Sequence, residues 1–409
     1  MNGMRCLAVC LLSAAAAQAG DWPQWLGPKR DGTSEEKVAA WTDAPTAVWS
    51  APVGEGHSSP VVADGRVYLH VKPDGRDAEE VLCFDAKTGK QLWKQAYGRG
   101  PFSTPFGNGP RGTPTVDGGQ VFTLGSTGIL SCFDAKTGDR AWQVDTLKKF
   151  GATNLRFGIS ASPLVYDRKV YVNVGAKGAS VVAFDRATGD VVWKAGDDAA
   201  SYSSPVIWAD DKQPQAVFLT GAHLTGLDPK TGDEFWKVPF KDLLNESSTT
   251  PVRVGDLLVG SSVTAGSIGL KMAAGEEPSA EQLWKKAKLT CYFSTPVVAG
   301  EGHLYMVTGK LLPPPSATLH CVKADTGEIV WSKEGVGKYH ASLLKIADGK
   351  MLLLEDDGEL ALLDGGTESY KELARSKVCG NTWAHPALAD GVLFLRDEKE
   401  LKALKLSAE

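Results

Sequence analysis

A nine-residue pattern, Asp-x-x-Thr-Gly-x-x-x-Trp, returns along this chain and restricts it to folds assembled from copies of one unit. It stands at Asp85, Thr88, Gly89 and Trp93, and again at Asp134, Thr137, Gly138 and Trp142. Two more complete copies are Asp185, Thr188, Gly189 and Trp193, and Asp228, Thr231, Gly232 and Trp236. A fifth, Thr326, Gly327 and Trp331, has Lys323 in the Asp position. Each residue type has a physical use: Asp accepts backbone N–H groups of its own turn, Gly takes positive φ at the corner, and the next strand delivers Trp four residues on. The pattern is therefore a strand hairpin. An indole at one place in every sheet can pack between neighbouring sheets while its N–H reaches a backbone acceptor.

A second landmark precedes each copy: a proline, usually behind Ser or Thr, then two apolar strands joined by a short turn. The prolines are Pro60, Pro114, Pro163, Pro205, Pro251, Pro296 and Pro386, with Leu343 standing in between the last two. The eight landmarks lie 42 to 54 residues apart, the length of one four-stranded propeller blade. In the first unit the strands read Val61–Ala63, Arg66–Val71, Val81–Phe84 and Gln91–Lys94, and their alternation suits half-buried strands. Two units are worn. The fifth keeps Trp284 but replaces the turn with Glu276 to Ala280, and the seventh keeps Asp364 and Thr367 but lacks the Gly and the Trp.

After Pro386 only three strands remain, so the eighth unit lacks its Trp-bearing strand, and Ala47–Ala51 around Trp49 is a spare of that type. Pairing it with the C-terminal strands closes the ring and removes two exposed edges. The expectation is an all-β chain: an eight-bladed β-propeller of four-stranded antiparallel blades, spanning 46–409 as one domain and closed by an N-terminal strand. Its docking tryptophans are Trp49, Trp93, Trp142, Trp193, Trp236, Trp284 and Trp331.

The remaining segments read as 1–19, a signal peptide, and 20–45, an extension packing on the propeller. Met1 to Arg5 is short and positive, Cys6 to Ala17 is apolar, and Ala17-Gln18-Ala19 suits cleavage. Val9 is too bulky for a lipoprotein box at Cys10. No later stretch approaches the roughly 20 apolar residues of a spanning helix. A periplasmic or secreted monomer is expected. The net charge is −5, and loss of Arg5 makes it −6, which disfavours phosphate-based nucleic-acid binding. Five cysteines follow the leader, and Cys83, Cys132 and Cys321 share one repeat position with Ala183 and Gly226, which reads as a small buried residue.

The extended motif, Ala-x-Asp-x-x-Thr-Gly-x-x-x-Trp, resembles the tryptophan-docking repeat of PQQ-like (pyrrolo-quinoline quinone) propellers. These include BamB-type assembly proteins and the quinoprotein alcohol dehydrogenase-like superfamily. The segment Asp21 to Pro28, with Arg30-Asp31-Gly32, is similar to the opening of many exported propellers of planctomycete-type bacteria. The resemblance implies either an envelope binding or scaffold protein with a protein or peptide partner, or a PQQ-dependent dehydrogenase. The dehydrogenases combine adjacent cysteines in a disulfide, Ca²⁺ held partly by Glu and Asn, a catalytic Asp and a Trp beneath the quinone. This chain has no Cys-Cys pair, and although Asn245, Glu246 and Trp383 are the right types, nothing around them ties them to those roles. The reading taken is a non-enzymatic binding protein with no cofactor; PQQ with calcium is the alternative.

Other motifs fail. Gly107 to Gly112 matches a dinucleotide glycine pattern on paper but holds Pro110 and leads into a strand, so it is a loop. Glu355-Asp356-Asp357-Gly358 reads as an acidic turn. Register offers a better site: residues three before each landmark should crowd one channel mouth, a usual place for ligands. They are His57, Arg111, Ser160, Tyr202, Ser248, Phe293, His340 and Trp383, with His385 close by. From these, His57, Arg111, Tyr202, His340, Trp383 and His385 are the candidate ligand-binding residues. Three histidines from adjacent blades suit a metal or an anion, but the plainer reading has them capping strands, and no metal is assigned.

Overall fold

The computed structural model describes residues 20–208, 213–309 and 314–406, and within them eight four-stranded antiparallel sheets and one short helix, Thr146–Phe150. The leader expected over 1–19 lies outside the described residues. The first blade runs Val61–Ala63, Arg66–Val71, Ala78–Asp85 and Gln91–Gly98, in that order from the channel outward. The eighth is composite. Ala387–Ala389, Val392–Arg396 and Glu400–Lys405 are completed by Thr46–Pro52, with Trp49 opposite Ala403, so the spare N-terminal strand fastens the ring. The worn fifth and seventh units are also complete blades.

The tryptophans work between blades. Trp49 Nε1 donates to Ala86 O at 2.8 Å, Trp93 to Ala135 O at 3.1 Å, Trp142 to Arg186 O at 3.0 Å, Trp193 to Pro229 O at 3.2 Å and Trp284 to Ala324 O at 2.9 Å. Every acceptor is the residue after the motif's first position in the following blade. The motif glycine of that blade lies under the same indole: a Cβ on Gly89 would stand 2.5 Å from the Trp49 ring, and one on Gly138 2.7 Å from that of Trp93. The two indoles that precede the worn blades lose this acceptor. Trp236 donates instead to Gln215 Oε1 at 2.6 Å, and Trp331 Nε1 has no hydrogen-bond partner. The backbone acceptor expected for every indole is thus missing where the next turn has lost its motif. The position across from each indole is small, as in Cys83 opposite Trp93, Cys132 opposite Trp142 and Gly226 opposite Trp236. The five cysteines among the described residues are free and buried, in keeping with a packing role.

Alternation holds only at the rim. The second and third strands bury nearly every side chain, since neighbouring blades cover both faces of each sheet. The outer strands alternate, and they carry exposed Val48, Leu92, Val192, Leu283 and Ile329.

The extension crosses one end of the channel and touches the inner part of every blade. Trp22 bridges Val62 and Pro23 O accepts from Val116 N. The Arg30 guanidinium donates to Ser162 O, Pro163 O and Pro205 O at 3.0–3.1 Å, and Trp25 Nε1 donates to Thr250 Oγ1 at 2.8 Å. Gly32 packs on Val297 and bonds to Lys345, and Glu36 accepts from Gly391 N. The last contacts fall at the turns that end the inner strands, so this segment seals the end opposite to the one where those strands begin.

Gly65 and Gly89 both have φ of +69°, but a Cβ on Gly65 meets nothing within 4 Å. Gly65→Ala should cost about 1–2 kcal/mol from the left-handed backbone alone. Gly89→Ala should cost about 1–3 kcal/mol more, because it also pushes Trp49 away. Denaturant midpoints measure both, and equal costs would rule out the stacked glycine as a stabilising contact. Deletion of 46–53 should abolish cooperative unfolding, read by calorimetry, by leaving the eighth blade with an open edge.

Candidate ligand-binding site at the channel mouth

The connection from each outer strand to the next inner strand lies on the unsealed face, and these loops build a chamber of about 330 Å³. Seven of the eight residues selected by register line it: His57, Arg111, Ser160, Tyr202, Ser248, Phe293 and Trp383. Trp25 of the extension also lines it, from the sealed side. The eighth position departs. His340 is 2 % exposed, its two ring nitrogens bonded to Ser294 Oγ at 2.9 Å and Ser342 Oγ at 3.0 Å, and its neighbour Tyr339 faces the chamber instead. The seventh unit has no proline at its landmark, so its inner strand, Ala341–Lys345, begins two residues before the landmark rather than one after it, which draws His340 into the blade. His385 is also withdrawn: 2 % exposed, it sits 4.9 Å from the Trp25 ring and 6.1 Å from His340, with no hydrogen-bond partner on either nitrogen. The expected cluster of histidines at the mouth is therefore split, with His57 alone at the chamber. Among the described residues, no three His, Cys, Asp or Glu side chains are grouped to hold a metal ion.

Aromatic rings form a continuous belt around the mouth. Trp383 stacks with His57 at 5.2 Å and with Phe293 at 5.1 Å, and Phe293 stacks on Tyr292 at 3.8 Å. Phe106 bridges Trp383 and Phe157, at 5.9 Å and 5.7 Å, and Phe157 reaches Tyr202 at 6.0 Å.

The polar groups are few and fixed. Arg111 donates to Phe106 O at 3.1 Å and Gly107 O at 3.0 Å, and burial lowers its pKa to about 10. His57 Nε2 donates to Phe106 O at 2.8 Å, and burial together with the Arg111 charge holds its pKa near 4, so the ring is neutral at pH 7. The lining carboxylate, Glu246, accepts the Tyr292 hydroxyl. The chamber thus offers flat apolar faces, one guanidinium, one carboxylate and several hydroxyls.

Register did not find Trp25, Phe106, Phe157, Glu246 or Tyr292. Trp25 belongs to a segment outside the repeat, and the others sit in connections whose lengths vary from blade to blade. The paper dinucleotide motif, Gly107 to Gly112, is one of these connections, and Glu355 to Gly358 is the acidic turn between two strands of the seventh blade.

The fold and this mouth define an eight-bladed propeller of tryptophan-docked blades with a plugged channel. The family described as outer membrane protein assembly factor BamB matches residues 77–333 and 271–408, and the chain belongs to that family of PQQ-like repeat proteins. It is 28% identical over 254 residues to outer membrane protein assembly factor BamB of Burkholderia pseudomallei (strain K96243), covering 58% of each chain. It is also 28% identical over 215 residues to a quinoprotein ethanol dehydrogenase of Pseudomonas aeruginosa, covering 46% of this chain and 34% of that one. The matches thus span less than two thirds of either relative. In fold it is similar to BamB from Moraxella catarrhalis, with a TM-score of 0.61, 16% identity and coverage of 90% and 99%. It is equally similar to quinohemoprotein alcohol dehydrogenase from Comamonas testosteroni, with a TM-score of 0.65, 14% identity and coverage of 97% and 82%.

The histidines behind the chamber make stability depend on pH. Burial lowers the pKa of His340 from 6.5 to about 4 and that of His385 to about 3, so between those values and 6.5 the unfolded chain binds protons that the folded chain refuses. Stability is then full above pH 6.5 and falls as pH drops, by about 1.4 kcal/mol per pH unit for each histidine. Urea midpoints of the His340→Gln/His385→Gln variant should lose most of this slope between pH 6.5 and 4. A slope equal to that of the parent would refute the assignment.

Proposed function

We propose that the protein is an exported, non-catalytic binding or scaffold propeller of the bacterial cell envelope, a monomer that holds a protein or peptide partner at the open mouth of its channel. The observation that carries this reading is an aromatic mouth on a ring whose other end is closed by its own chain. Apolar side chains are left in water on this face: Phe106 at the mouth is 51% exposed, and Leu243 and Leu244, in the connection that enters the fifth blade, are 82% and 51% exposed. Exposed apolar groups beside an aromatic mouth suit an interaction surface, and the remaining ones, Val48, Leu92, Val192, Leu283, Ile329 and Val330, are spread over the outer strands of five blades. Among the described residues no helix is long and apolar enough to cross a membrane. The name of the Burkholderia relative, an outer membrane assembly factor, agrees with an envelope role.

The second reading is a PQQ-dependent dehydrogenase, favoured by the meeting of Trp383, Arg111 and Glu246 in one chamber. The donors present do not fit a calcium-bound quinone. The chamber lining supplies one carboxylate, which accepts from Tyr292, and the cysteines among the described residues are free and buried.

A photo-crosslinking residue at Phe106 or Leu243, introduced in cells that express the chain, should capture an envelope protein, whereas the same residue at Leu92 on the outer rim should not. In parallel, PQQ with Ca²⁺ should neither raise the melting temperature nor support dye-linked alcohol oxidation. Stabilisation with turnover would establish the dehydrogenase instead.

A further inference from the structure

The lining of the chamber divides in two. On the connections that enter the second to fifth blades it carries Arg111, Ser160, Ser162, Ser204, Ser248 and Glu246. On those that enter the sixth, seventh, eighth and first blades it consists of rings: Phe293, Tyr339, Trp383 and the neutral His57. The two charges thus stand at the ends of a polar half, with every lining serine between or beside them.

Both charged groups keep bonding capacity. Glu246 is 7 % exposed, its Oε2 accepts the Tyr292 hydroxyl, and Oε1 has no partner among the described residues. A guanidinium has five N–H donors. In Arg111, Nη1 donates once, to Gly109 O at 3.3 Å, Nη2 is shared by Thr104 Oγ1, Phe106 O and Gly107 O, and Nε makes no bond among the described residues. Neither Glu246 Oε1 nor Arg111 Nε is sealed from solvent, and both residues line the chamber. Between them, Ser162 and Ser204 are 2 % and 4 % exposed. Ser162 Oγ accepts from Thr113 N and Ser204 Oγ from Ser162 N, each at 2.9 Å, and neither hydroxyl has an acceptor for its own proton. Buried donors are nearly always bonded, so these spare protons on a chamber wall call for acceptors from a ligand.

The arrangement restricts what that ligand is. A dicarboxylate faces Glu246, and a diamine faces Arg111. An α-amino acid carries both its charges on one carbon, too close together for groups that stand three blades apart. A short peptide has its ammonium and carboxylate at opposite ends, carbonyl groups between them for the serine protons, and side chains for the rings. We infer that the chamber is a binding site for a short peptide free at both ends, with its ammonium on Glu246, its carboxylate on Arg111, its main chain along the serines and an apolar side chain against Phe293 and Trp383. The volume, about 330 Å³, is that of an ordinary small-ligand pocket. The assignment rests on the reading of the mouth as an interaction face and narrows what the chamber itself holds.

Isothermal titration of the purified chain with Phe-Ala and Ala-Phe-Ala, each also in its N-acetyl and its C-amide form, tests the assignment. Saturable binding of at least one unblocked peptide is expected, with acetylation and amidation each weakening it about tenfold or more. Acetylation should cost nothing further in Glu246→Gln, and amidation nothing further in Arg111→Gln, while each block keeps its effect in the other variant. The blocked peptides probe both charges in the unaltered chain, so the outcome does not hang on either variant folding. Binding by neither unblocked peptide overturns the proposal. Equal binding of blocked and unblocked forms overturns it too, leaving an apolar pocket without charge recognition, as does a block whose effect persists in the variant that should remove it. Crosslinking from Leu243, outside the chamber lining, reports the envelope partner alone. Capture there without peptide binding leaves the envelope reading standing and this one lost, and peptide binding without capture separates them the other way.

Discussion

The indole of one blade lying over the turn glycine of the next is the contact on which this molecule depends. A four-stranded blade has two apolar faces and cannot bury them alone. Docking fixes both the spacing and the angle between neighbours: the indole packs on Gly89, Gly138, Gly189, Gly232 or Gly327, and its N–H is held by the adjoining backbone carbonyl in each of the five. Any side chain at the glycine position pushes the ring off. The same turn needs positive φ, so one residue answers two constraints. Closure uses the same device. Thr46–Pro52 completes the eighth blade through its backbone while its Trp49 docks on the first, so one strand fastens the ring twice over.

Where the device is missing, the structure shows what it had supplied. The fifth and seventh blades lack the glycine turn. The indoles that face them are held only by other means, Trp236 by Gln215 and Trp331 by the edges of Tyr305 and Tyr370. The sheets survive because their strands still bury residues on both faces, as in Met351–Glu355 and Glu359–Leu363, which are apolar almost throughout. A ring tolerates worn copies because each interface is only one of eight.

The ring, its blade count and its latch were legible in the sequence because they rest on local spacing: turn chemistry, period-two strands and the interval between prolines. The chamber was legible only in part. Register predicted seven of its lining residues, since those positions are tied to the start of an inner strand. It misplaced His340, where the absence of a landmark proline lets the strand begin earlier, and it could not foresee Trp25, which reaches the channel from a segment with no repeat partner. The belt residues Phe106, Phe157 and Tyr292 lie in connections of unequal length. No periodicity constrains such loops, and variation there leaves the docking interfaces intact.

Three guanidinium groups give the channel its electrostatic character. Arg30, Arg111 and Arg396 are held by backbone carbonyls and stand in no ion pair among the described residues, and burial lowers their pKa values to about 9, 10 and 10. A carbonyl dipole satisfies a hydrogen bond without cancelling the charge, so a carboxylate in the same place would leave a neutral site. In a chain whose net charge is −5, these three buried cations stand on the axis and beside it, where the field of a charge extends further than at the surface. The repeat could not provide this, because its own polar residues are consumed in turns. The charges come from the extension, from the loop before the second blade and from the last blade. These segments differ from the shared blade pattern, and on the proposed reading they hold the features that would select a ligand.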